Sequence, residues 1–402
     1  MSVRDAYDLP MSAADDAVGA GYDAYVREFL SYGSKLRALF EIADAAPQSA
    51  FLNAHAAALH LAFEGAEGWA AALPYLERMS SRRGSALARE ALFCDAVAAW
   101  ARRDFAAALA ALDELTVRWP ADLCAIKWGQ YHAFNLGDQA ALLRFGERAR
   151  LVHEETPYAQ GMIAFALEQN HRLAEAEEAG MRAVEIALDD AWAQHAVAHV
   201  YETERRPRDG ARWLDHCAHT WEKKGVFIRD HNWWHAALFR LGLGRPEEAL
   251  AIYDARLWGA WPEFPQEQIG AASMLWRLEL RGVDVGARWK PLAAQARGRA
   301  NEHLFPFHDL HYLLALARGG EPGEARAFLK SMPREGGAWS IAALAGEGML
   351  HYARGEPTEA ASCLAAAAPR LSCIGGSHAQ RHLFAETMAA AAPARPARAS
   401  SP

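Results

Sequence analysis

Four of the 17 histidines form two pairs with one spacing. His195 and His199 are four residues apart, and so are His231 and His235. Residues four apart on a helix share one face, with about 5–6 Å between their Cβ atoms. Metal-binding helices present imidazole nitrogens at this spacing. The sequence therefore predicts two helices that each carry two candidate metal ligands on one face.

The offset between the two pairs is more informative than the spacing within either pair. It is 36 residues both from 195 to 231 and from 199 to 235, close to the period of a helical repeat protein. Equivalent helices of neighbouring repeats pack about 8–10 Å apart, so the two pairs can meet at one ion. A divalent metal ion is thus the candidate cofactor, with His195, His199, His231 and His235 as its candidate ligands. Neither an HExxH motif nor a compact Cys/His cluster is present to strengthen this hypothesis.

A third pair, His308 and His311, encloses Asp309 and lies 77 residues after His231. At two repeats along, it is about 16–20 Å away by the same packing distance, unless the superhelix curls back into a closed chamber. Imidazoles beside carboxylates can act as general acids and bases, and tryptophans suit an apolar or aromatic ligand. The candidate catalytic residues are His195, His235, His311, Glu202 and Asp309. The candidate ligand-binding residues are Trp192, His199, His231, Trp234, His308, His378 and Arg381.

The same side chains have a purely structural interpretation. Histidines and tryptophans can pack between helices and hydrogen-bond to carboxylates and carbonyls, which is the commoner fate of any single histidine. His378 and Arg381 follow Ser377, which with Gln380 forms a predicted capping box at a helix start. Both interpretations stay open at the level of the sequence.

The elements that must position these residues are helical repeats. Similar turns recur with Asp104, Asp138, Pro207, Pro246, Pro322 and Pro357 as markers, at separations of 34, 69, 39, 76 and 35 residues. Further turns near Arg172 and Gly282 fill the two double-length gaps. Alanine-rich composition favours helix throughout, and a period in the thirties with paired helices is typical of tetratricopeptide repeats. We therefore expect an all-α solenoid of stacked helix-turn-helix repeats, with a closed superhelix as one possible form.

The expected organisation has three parts. Residues 1–80 lack the turn pattern and are predicted to form a helical cap, and residues 81–388 a continuous array of repeats. Residues 389–402 are rich in Ala, Pro, Arg and Ser without apolar periodicity, which predicts a disordered tail.

The charge and the hydropathy of the sequence limit the classes of partner that we expect. The net charge of −8 is mild and mixed in sign, without the basic stripe that phosphate binding needs, so nucleic acid is not an expected partner. The first residues include acidic side chains and no apolar segment of the kind found in signal peptides, and no eighteen apolar residues run without a charge, so we expect a cytoplasmic protein that does not contact the membrane. The oligomeric state is not indicated.

Several motifs are similar to those of the tetratricopeptide repeat protein 38 family. They span about half of the chain in the family's order: 190–202, 231–238, 273–278, 282–289, 308–311 and 375–381. The resemblance implies the repeat fold, and it transfers no activity or catalytic residue.

Two functions are consistent with these patterns. One is a concave pocket lined by His, Trp and carboxylates that binds a small molecule, with a metal ion and histidine-based catalysis as further expectations. The alternative is a scaffold that binds a peptide or a partner protein in the concave groove, the commoner use of such solenoids.

Overall fold

The computed structural model describes residues 3–12 and 15–392. The fold is all-α, apart from one antiparallel pair of two-residue strands, β1 (Val3–Arg4) and β2 (Pro10–Met11), within the described residues. The chain divides into two compact units, 1–270 and 271–402. One continuous array over 81–388 stays a prediction.

The first unit is a succession of antiparallel helical hairpins preceded by two further helices. Its helices are α1 (Asp16–Leu30), α2 (Ala38–Ala45), α3 (Ala50–Leu61), α4 (Ala66–Arg82), α5 (Ala88–Ala101), α6 (Phe105–Arg118), α7 (Leu123–Asn135), α8 (Gln139–Val152), α9 (Ala159–Gln169), α10 (Leu173–Ile186), α11 (Ala191–Thr203), α12 (Pro207–Trp221), α13 (Val226–Gly242) and α14 (Pro246–Ile252). A 3₁₀ turn, Arg83–Ser85, follows α4, and a π-helical turn, Tyr253–Leu257, follows α14. The hairpin α3–α4 lies inside the segment that the sequence predicts as a cap.

The second unit continues the hairpin pattern. Helix α15 (Pro265–Glu279) begins in the first unit and ends in the second. The other helices of the second unit are α16 (Trp289–Gly298), α17 (Pro306–Gly319), α18 (Glu324–Ser331), α19 (Gly337–Ala353), α20 (Pro357–Ala367) and α21 (His378–Ala391), with 3₁₀ turns at Gly286–Arg288 and Ala368–Ile374. Helix α21 includes residues 389–391 of the predicted disordered tail, and Ala392 is its C-cap. Residues 393–402 of that tail lie outside the described residues.

The turns form where the sequence places them, because their residues satisfy free helix ends. The Oδ1 atoms of Asp104 and Asp138 accept the backbone N–H of the third helical residue at 3.0 and 2.8 Å, as N-cap residues do. Pro207 and Pro246 occupy the first helical turn, where proline needs no hydrogen-bond donor. Gly244 ends its helix at φ 71°, a conformation that glycine adopts without steric cost.

The amino-terminal segment lies along the first helices of the hairpins in the first unit. Arg89 of α5 forms buried ion pairs with Asp5 at 3.1 Å and with Asp122 at 2.7 Å. Further along, Phe29 stacks on Trp128 of α7, with 4.6 Å between ring centroids. The segment is thus fixed to the repeats by buried charge pairs and aromatic packing.

Tyr32 extends this contact to α11 and α13. Its ring stacks on Trp192 at 5.1 Å, and its carbonyl accepts the backbone N–H of Gly225 at 2.8 Å. Lys127 Nζ lies 3.4 Å from the centre of the Tyr32 ring and donates to the carbonyl of Leu30 at 3.2 Å. Burial lowers the pKa of Lys127 well below its ordinary value. The amino-terminal segment, up to Tyr32, therefore packs against the first helices of these hairpins.

Residues near the two ends of the first unit touch. Gln266 Nε2 donates to Glu64 Oε2 at 2.5 Å, and the Tyr131 hydroxyl donates to Glu64 Oε1 at 2.7 Å. Phe63 packs near Phe264, with 5.8 Å between ring centroids. The stack of hairpins in this unit thus brings the α3–α4 turn against residues that follow α14.

Across residues 3–12 and 15–392, no helix combines the length and the apolar character needed to cross a bilayer.

Candidate metal centre

Helices α11 and α13 are the first helices of neighbouring hairpins, and each carries one histidine pair. Asp190 starts α11 as its N-cap, with Oδ1 accepting the N–H of Ala193 at 2.9 Å. Asn232 of α13 donates from Nδ2 to the carbonyl of Ala191 at 3.2 Å, which joins the two helices. Because the pairs occupy equivalent positions of adjacent repeats, their rings face each other.

The four imidazoles form one cluster, which we call the histidine cluster: His195, His199, His231 and His235. One ring nitrogen from each lies within 4.8 Å of all the others. His195 Nε2 is 2.9 Å from His199 Nε2 and 3.0 Å from His231 Nε2. Tetrahedral zinc with Zn–N bonds of about 2.0–2.1 Å separates its ligand nitrogens by about 3.3 Å. The separations within the cluster, from 2.9 Å up to 4.8 Å, span this value.

Two carboxylates lie behind the cluster. Glu168 Oε2 is 3.3 Å from His199 Nδ1, and Glu202 Oε2 is 3.3 Å from His235 Nδ1. Metal-bound histidines commonly donate their second ring N–H to a carboxylate, which fixes the tautomer and the ring orientation. In this arrangement the Nε2 atoms of His199 and His235 face the centre of the cluster.

Glu168 is a residue that the sequence reasoning missed. It lies on α9 and is fully buried. The signal was the repeat period, because Glu168 precedes Glu202 by 34 residues and each carboxylate contacts a histidine of the next first helix. Counting 34 residues back from Glu202, which is the separation of the turn markers Asp104 and Asp138, would have found it.

Burial sets the charge state of the rings. His195, His199 and His235 are at most 1% exposed, and His231 is partly exposed. Burial, together with the charges of the other three histidines, lowers the pKa of His195 well below its ordinary value. Burial also lowers the pKa of His231 to about 3. These two rings are therefore neutral at physiological pH, which is the state in which imidazole binds metals.

Aromatic side chains hold the rings in place. Trp192 packs on His195 with 4.5 Å between ring centroids. Phe227 and Trp234 each stack on His231 at 5.6 Å with nearly parallel planes. The predicted ligand-binding tryptophans thus contact the histidine cluster directly.

A small pocket that is open to solvent reaches the cluster at His231. Its wall includes Leu257, at the end of the π-helical turn, a feature often found at functional sites. Asp230 also lines it, and its Oδ1 accepts a hydrogen bond from Arg229 Nε at 2.8 Å. Burial raises the pKa of Asp230. The full lining is Val226, Phe227, Asp230, His231, Trp234, Leu257, Phe264, Gln266, Glu267 and Gly270.

The remaining predicted histidines and acids belong to the second unit, where backbone and side-chain partners engage them locally. His311 Nδ1 donates to the carbonyl of Phe307 at 2.8 Å. Asp309 Oδ2 lies 2.5 Å from His303 Nδ1. Burial lowers the pKa of His308 to about 3 and that of His311 to about 4.

Arg381 and His378 of the second unit also contact each other and the backbone. Arg381 donates to the carbonyl of Gly375 and to His378 Nδ1, each at 3.3 Å. The capping box of Ser377 and Gln380 is present as predicted. Among the residues that the structure describes, the histidine cluster is the one group of three or more potential metal ligands.

No family model matches the chain. Among solved structures, the chain is similar to a human IFIT1 dimer with m7Gppp-AAAA, at 13% identity and a TM-score of 0.46, over 95% of this chain and 87% of that chain. It is also similar to the TPR domain of P58(IPK), at 13% identity and a TM-score of 0.20, over 93% of this chain and 97% of that chain. At these values the likeness carries no argument about function. The hairpin repeats themselves define the class, an all-α protein of the tetratricopeptide type.

Proposed function

We propose that the first unit binds a divalent transition-metal ion at His195, His199, His231 and His235, and that this ion organises the wall of a pocket for a small molecule. The observation that carries the proposal is the convergence of four imidazole nitrogens within 4.8 Å. Glu168 and Glu202 add support, because carboxylates at the outer ring nitrogens are the usual second layer of a metal site.

The donor set favours zinc among the available ions. Imidazole suits Zn, Cu, Fe and Ni, and a tetrahedral set of four nitrogens is the geometry that zinc prefers. Four neutral imidazoles leave two positive charges on the ion, which the carboxylates of Glu168 and Glu202 can balance. A buried charge of this size needs such compensation.

The closed donor set indicates a structural role rather than the activation of water. Catalytic zinc sites keep one coordination position open, whereas structural sites use four protein ligands. The pocket reaches the cluster at His231, which is fixed between Phe227 and Trp234. The ion would hold α11 and α13 together and fix His231 at the pocket wall. Histidine-based catalysis by His195 or His235 is the weaker proposal.

The scaffold function is less well supported in the first unit. A peptide would have to lie along the first helices, and there the chain's own segment around Phe29 and Tyr32 packs against Trp128 and Trp192. A partner segment would need to displace these buried contacts. The tetratricopeptide repeat protein 38 family remains our proposed family, since its motifs include both histidine pairs.

The test is metal content after purification, with elemental analysis and titration of cobalt(II) into protein treated with a chelator. We expect about one ion per chain and the visible absorption bands of tetrahedral cobalt(II). His195→Gln should remove both signals, because glutamine keeps the volume but not the imidazole ligand.

His132→Gln is the matched control, since His132 is equally buried on the first helix α7 and lies outside the histidine cluster. It should keep the metal. Wild-type protein that stays free of zinc, cobalt, nickel and copper under these conditions contradicts the proposal.

A further inference from the structure

Tyr32, just beyond the end of α1, contacts both helices that carry the histidine cluster. Its ring stacks on Trp192 of α11 at 5.1 Å and lies 5.8 Å from the ring of Phe227 of α13. Its carbonyl accepts the backbone N–H of Gly225, the N-cap of α13, at 2.8 Å. One residue of the amino-terminal segment therefore joins the first turns of α11 and α13.

Trp192 and Phe227 are also the side chains that cover two of the proposed ligands. Trp192 packs on His195 with 4.5 Å between ring centroids. Phe227 stacks on His231 at 5.6 Å, with 14° between the ring planes. Tyr32 thus reaches two histidines of the cluster through one aromatic ring each.

The small pocket beside His231 does not by itself admit a metal ion. It has room for about one water molecule, and a divalent ion with its hydration shell is larger. Phe227 lines this pocket together with His231, so a movement of the Phe227 ring would widen the way to the cluster. Tyr32 packs against Phe227 and opposes that movement.

Two features show that Tyr32 is held in place by its side chain. Lys127 Nζ lies 3.4 Å from the centre of its ring and donates to the carbonyls of Phe29 and Leu30 at the end of α1. The backbone of Tyr32 has φ 54°, a conformation that glycine usually adopts after a helix and that costs energy for a residue with a Cβ. Such a conformation persists where surrounding contacts fix it.

We propose that Tyr32 is a positioning residue that closes the metal site of the histidine cluster. With its ring in place, Trp192 and Phe227 stay packed on their histidines, and a metal ion neither enters nor leaves. The ion exchanges only while the end of α1 has moved away from α11 and α13. Because entry and exit share this step, Tyr32 changes both rates by the same factor and leaves the affinity unchanged.

A purely structural role for Tyr32 predicts a different result. If the ring only orients His195 and His231 for binding, its loss weakens the metal affinity. The exit rate of the ion then rises, while the entry rate does not. Measuring both rates therefore distinguishes closure of the site from orientation of its ligands.

This inference rests on the proposed function, so the experiment has one measurement with metal and one without. With metal, the visible absorption of cobalt(II) follows its uptake by chelator-treated protein and its loss into excess EDTA. Tyr32→Gly removes the ring and the backbone strain. It should raise both rates at least about tenfold and keep the dissociation constant within about threefold of wild type.

Without metal, the measurement is the rate at which diethyl pyrocarbonate modifies individual histidines, read by mass spectrometry. Tyr32→Gly should speed the modification of His195 and His231 at least about tenfold, because the reagent reaches them only in the open state. His132 of α7 is 1% exposed and lies outside the cluster. Its modification rate should stay unchanged and serves as the internal reference.

Three further variants make the test specific. Tyr32→Phe keeps the ring and should exchange cobalt(II) like wild type. Arg103→Gly relieves the same kind of backbone strain, at φ 63° between α5 and α6, and should also leave both rates unchanged. Lys127→Met removes the cation that holds Tyr32 and should raise both rates about threefold or more. Circular dichroism reports whether each variant is folded.

The outcomes separate this inference from the proposed function. If folded Tyr32→Gly and Lys127→Met proteins match wild type in both measurements, the closure is overturned and the metal site stands. A faster exit with an unchanged entry rate also overturns the closure. Wild-type protein that takes up no metal contradicts the proposed function, and faster modification of His195 and His231 in Tyr32→Gly would then still support closure of the cluster by Tyr32.

Discussion

The two units contain histidine pairs of similar local appearance, and among these pairs only those of the first unit form a cluster. On α11, His195 and His199 lie four residues apart, and on α17 His308 and His311 lie three apart. Both pairs are buried on the first helix of a hairpin. The pair on α11 is repeated one hairpin later, on α13, whereas the pair on α17 is not repeated in the next first helix, α19.

The consequence is visible in the partners of the second ring nitrogen. In the first unit, Glu168 and Glu202 lie behind His199 and His235, so the rings face one another. In the second unit, His311 donates back to the carbonyl of its own helix. Spacing within a helix is therefore not sufficient for a site. Repetition of that spacing at the period of the fold is what brings donors together.

The largest expected effect is loss of the metal on substitution of the central ligand. His195 is within 5.0 Å, ring centroid to centroid, of each of the other three histidines. His195→Gln should weaken metal binding by more than about 100-fold, because even the loss of an outer partner costs about 10-fold to 100-fold. Competition with a chromogenic chelator measures this affinity.

The comparison between the units supplies the control. His308→Gln alters a similarly buried histidine on a first helix of the second unit. It should leave the metal affinity within about twofold, since His308 is not one of the four clustered histidines and substitutions that share no partners act independently. A loss of affinity in His308→Gln like that in His195→Gln would mean that the histidines of the second unit also take part.

The next effect concerns the carboxylates. Glu168→Gln keeps the shape of the side chain but removes the charge that faces His199 Nδ1, so the metal affinity should fall by about 10-fold to 100-fold. Glu202→Gln should lower the metal affinity by a similar factor, because Glu202 occupies the equivalent place behind His235. An unchanged affinity in both variants would show that the carboxylates serve packing only.

Metal addition should stabilise the first unit selectively. At a free metal concentration 100 times the dissociation constant, binding contributes about 2.7 kcal/mol to the folded state. Hydrogen exchange should therefore slow in α11 and α13 by up to about 100-fold and stay unchanged in α17. Equal protection of α17 would contradict a site confined to the first unit.

The sequence was informative wherever one residue type marks a local structure. The turns at Asp104, Pro207 and Gly244 lie between helices as expected, because caps, proline and glycine act over a few residues. The 36-residue offset between His195 and His231 was readable for a related reason. In a repeat protein, distance along the chain converts directly into neighbouring positions in space.

Contacts that do not follow the repeat period could not be predicted from the sequence in this way. Nothing in the sequence around Tyr32 indicates that it stacks on Trp192, because the partners are far apart in the chain and the segment has no counterpart in other repeats. The pocket at Asp230 depends on a π-helical turn and on the loop that carries Trp261, which also interrupt the repeat. Glu168, by contrast, obeys the period and was simply overlooked.

The smallest expected effect is a response of the second unit to protons. Burial lowers the pKa of His308 to about 3, whereas the unfolded chain has an ordinary pKa of about 6.5. Between these values the unfolded state binds one more proton at this residue, so the free energy of unfolding falls as the pH falls from about 6.5 towards 3. The slope is about 1.4 kcal/mol per pH unit for one such group, and above pH 6.5 the contribution is complete.

His308→Gln removes this titration and should reduce the slope by that amount. The local unfolding free energy of α17, from hydrogen exchange in urea between pH 6.5 and 4.5, measures it, and the exposed His216→Gln on α12 should leave the slope unchanged. Added metal should not alter the slope in α17, because in the proposed scheme ions act on the first unit and protons on the second. If added metal abolished the pH dependence of the unfolding free energy in α17, the metal would act on the second unit as well. That result would contradict the distinction between the histidine pairs of the two units.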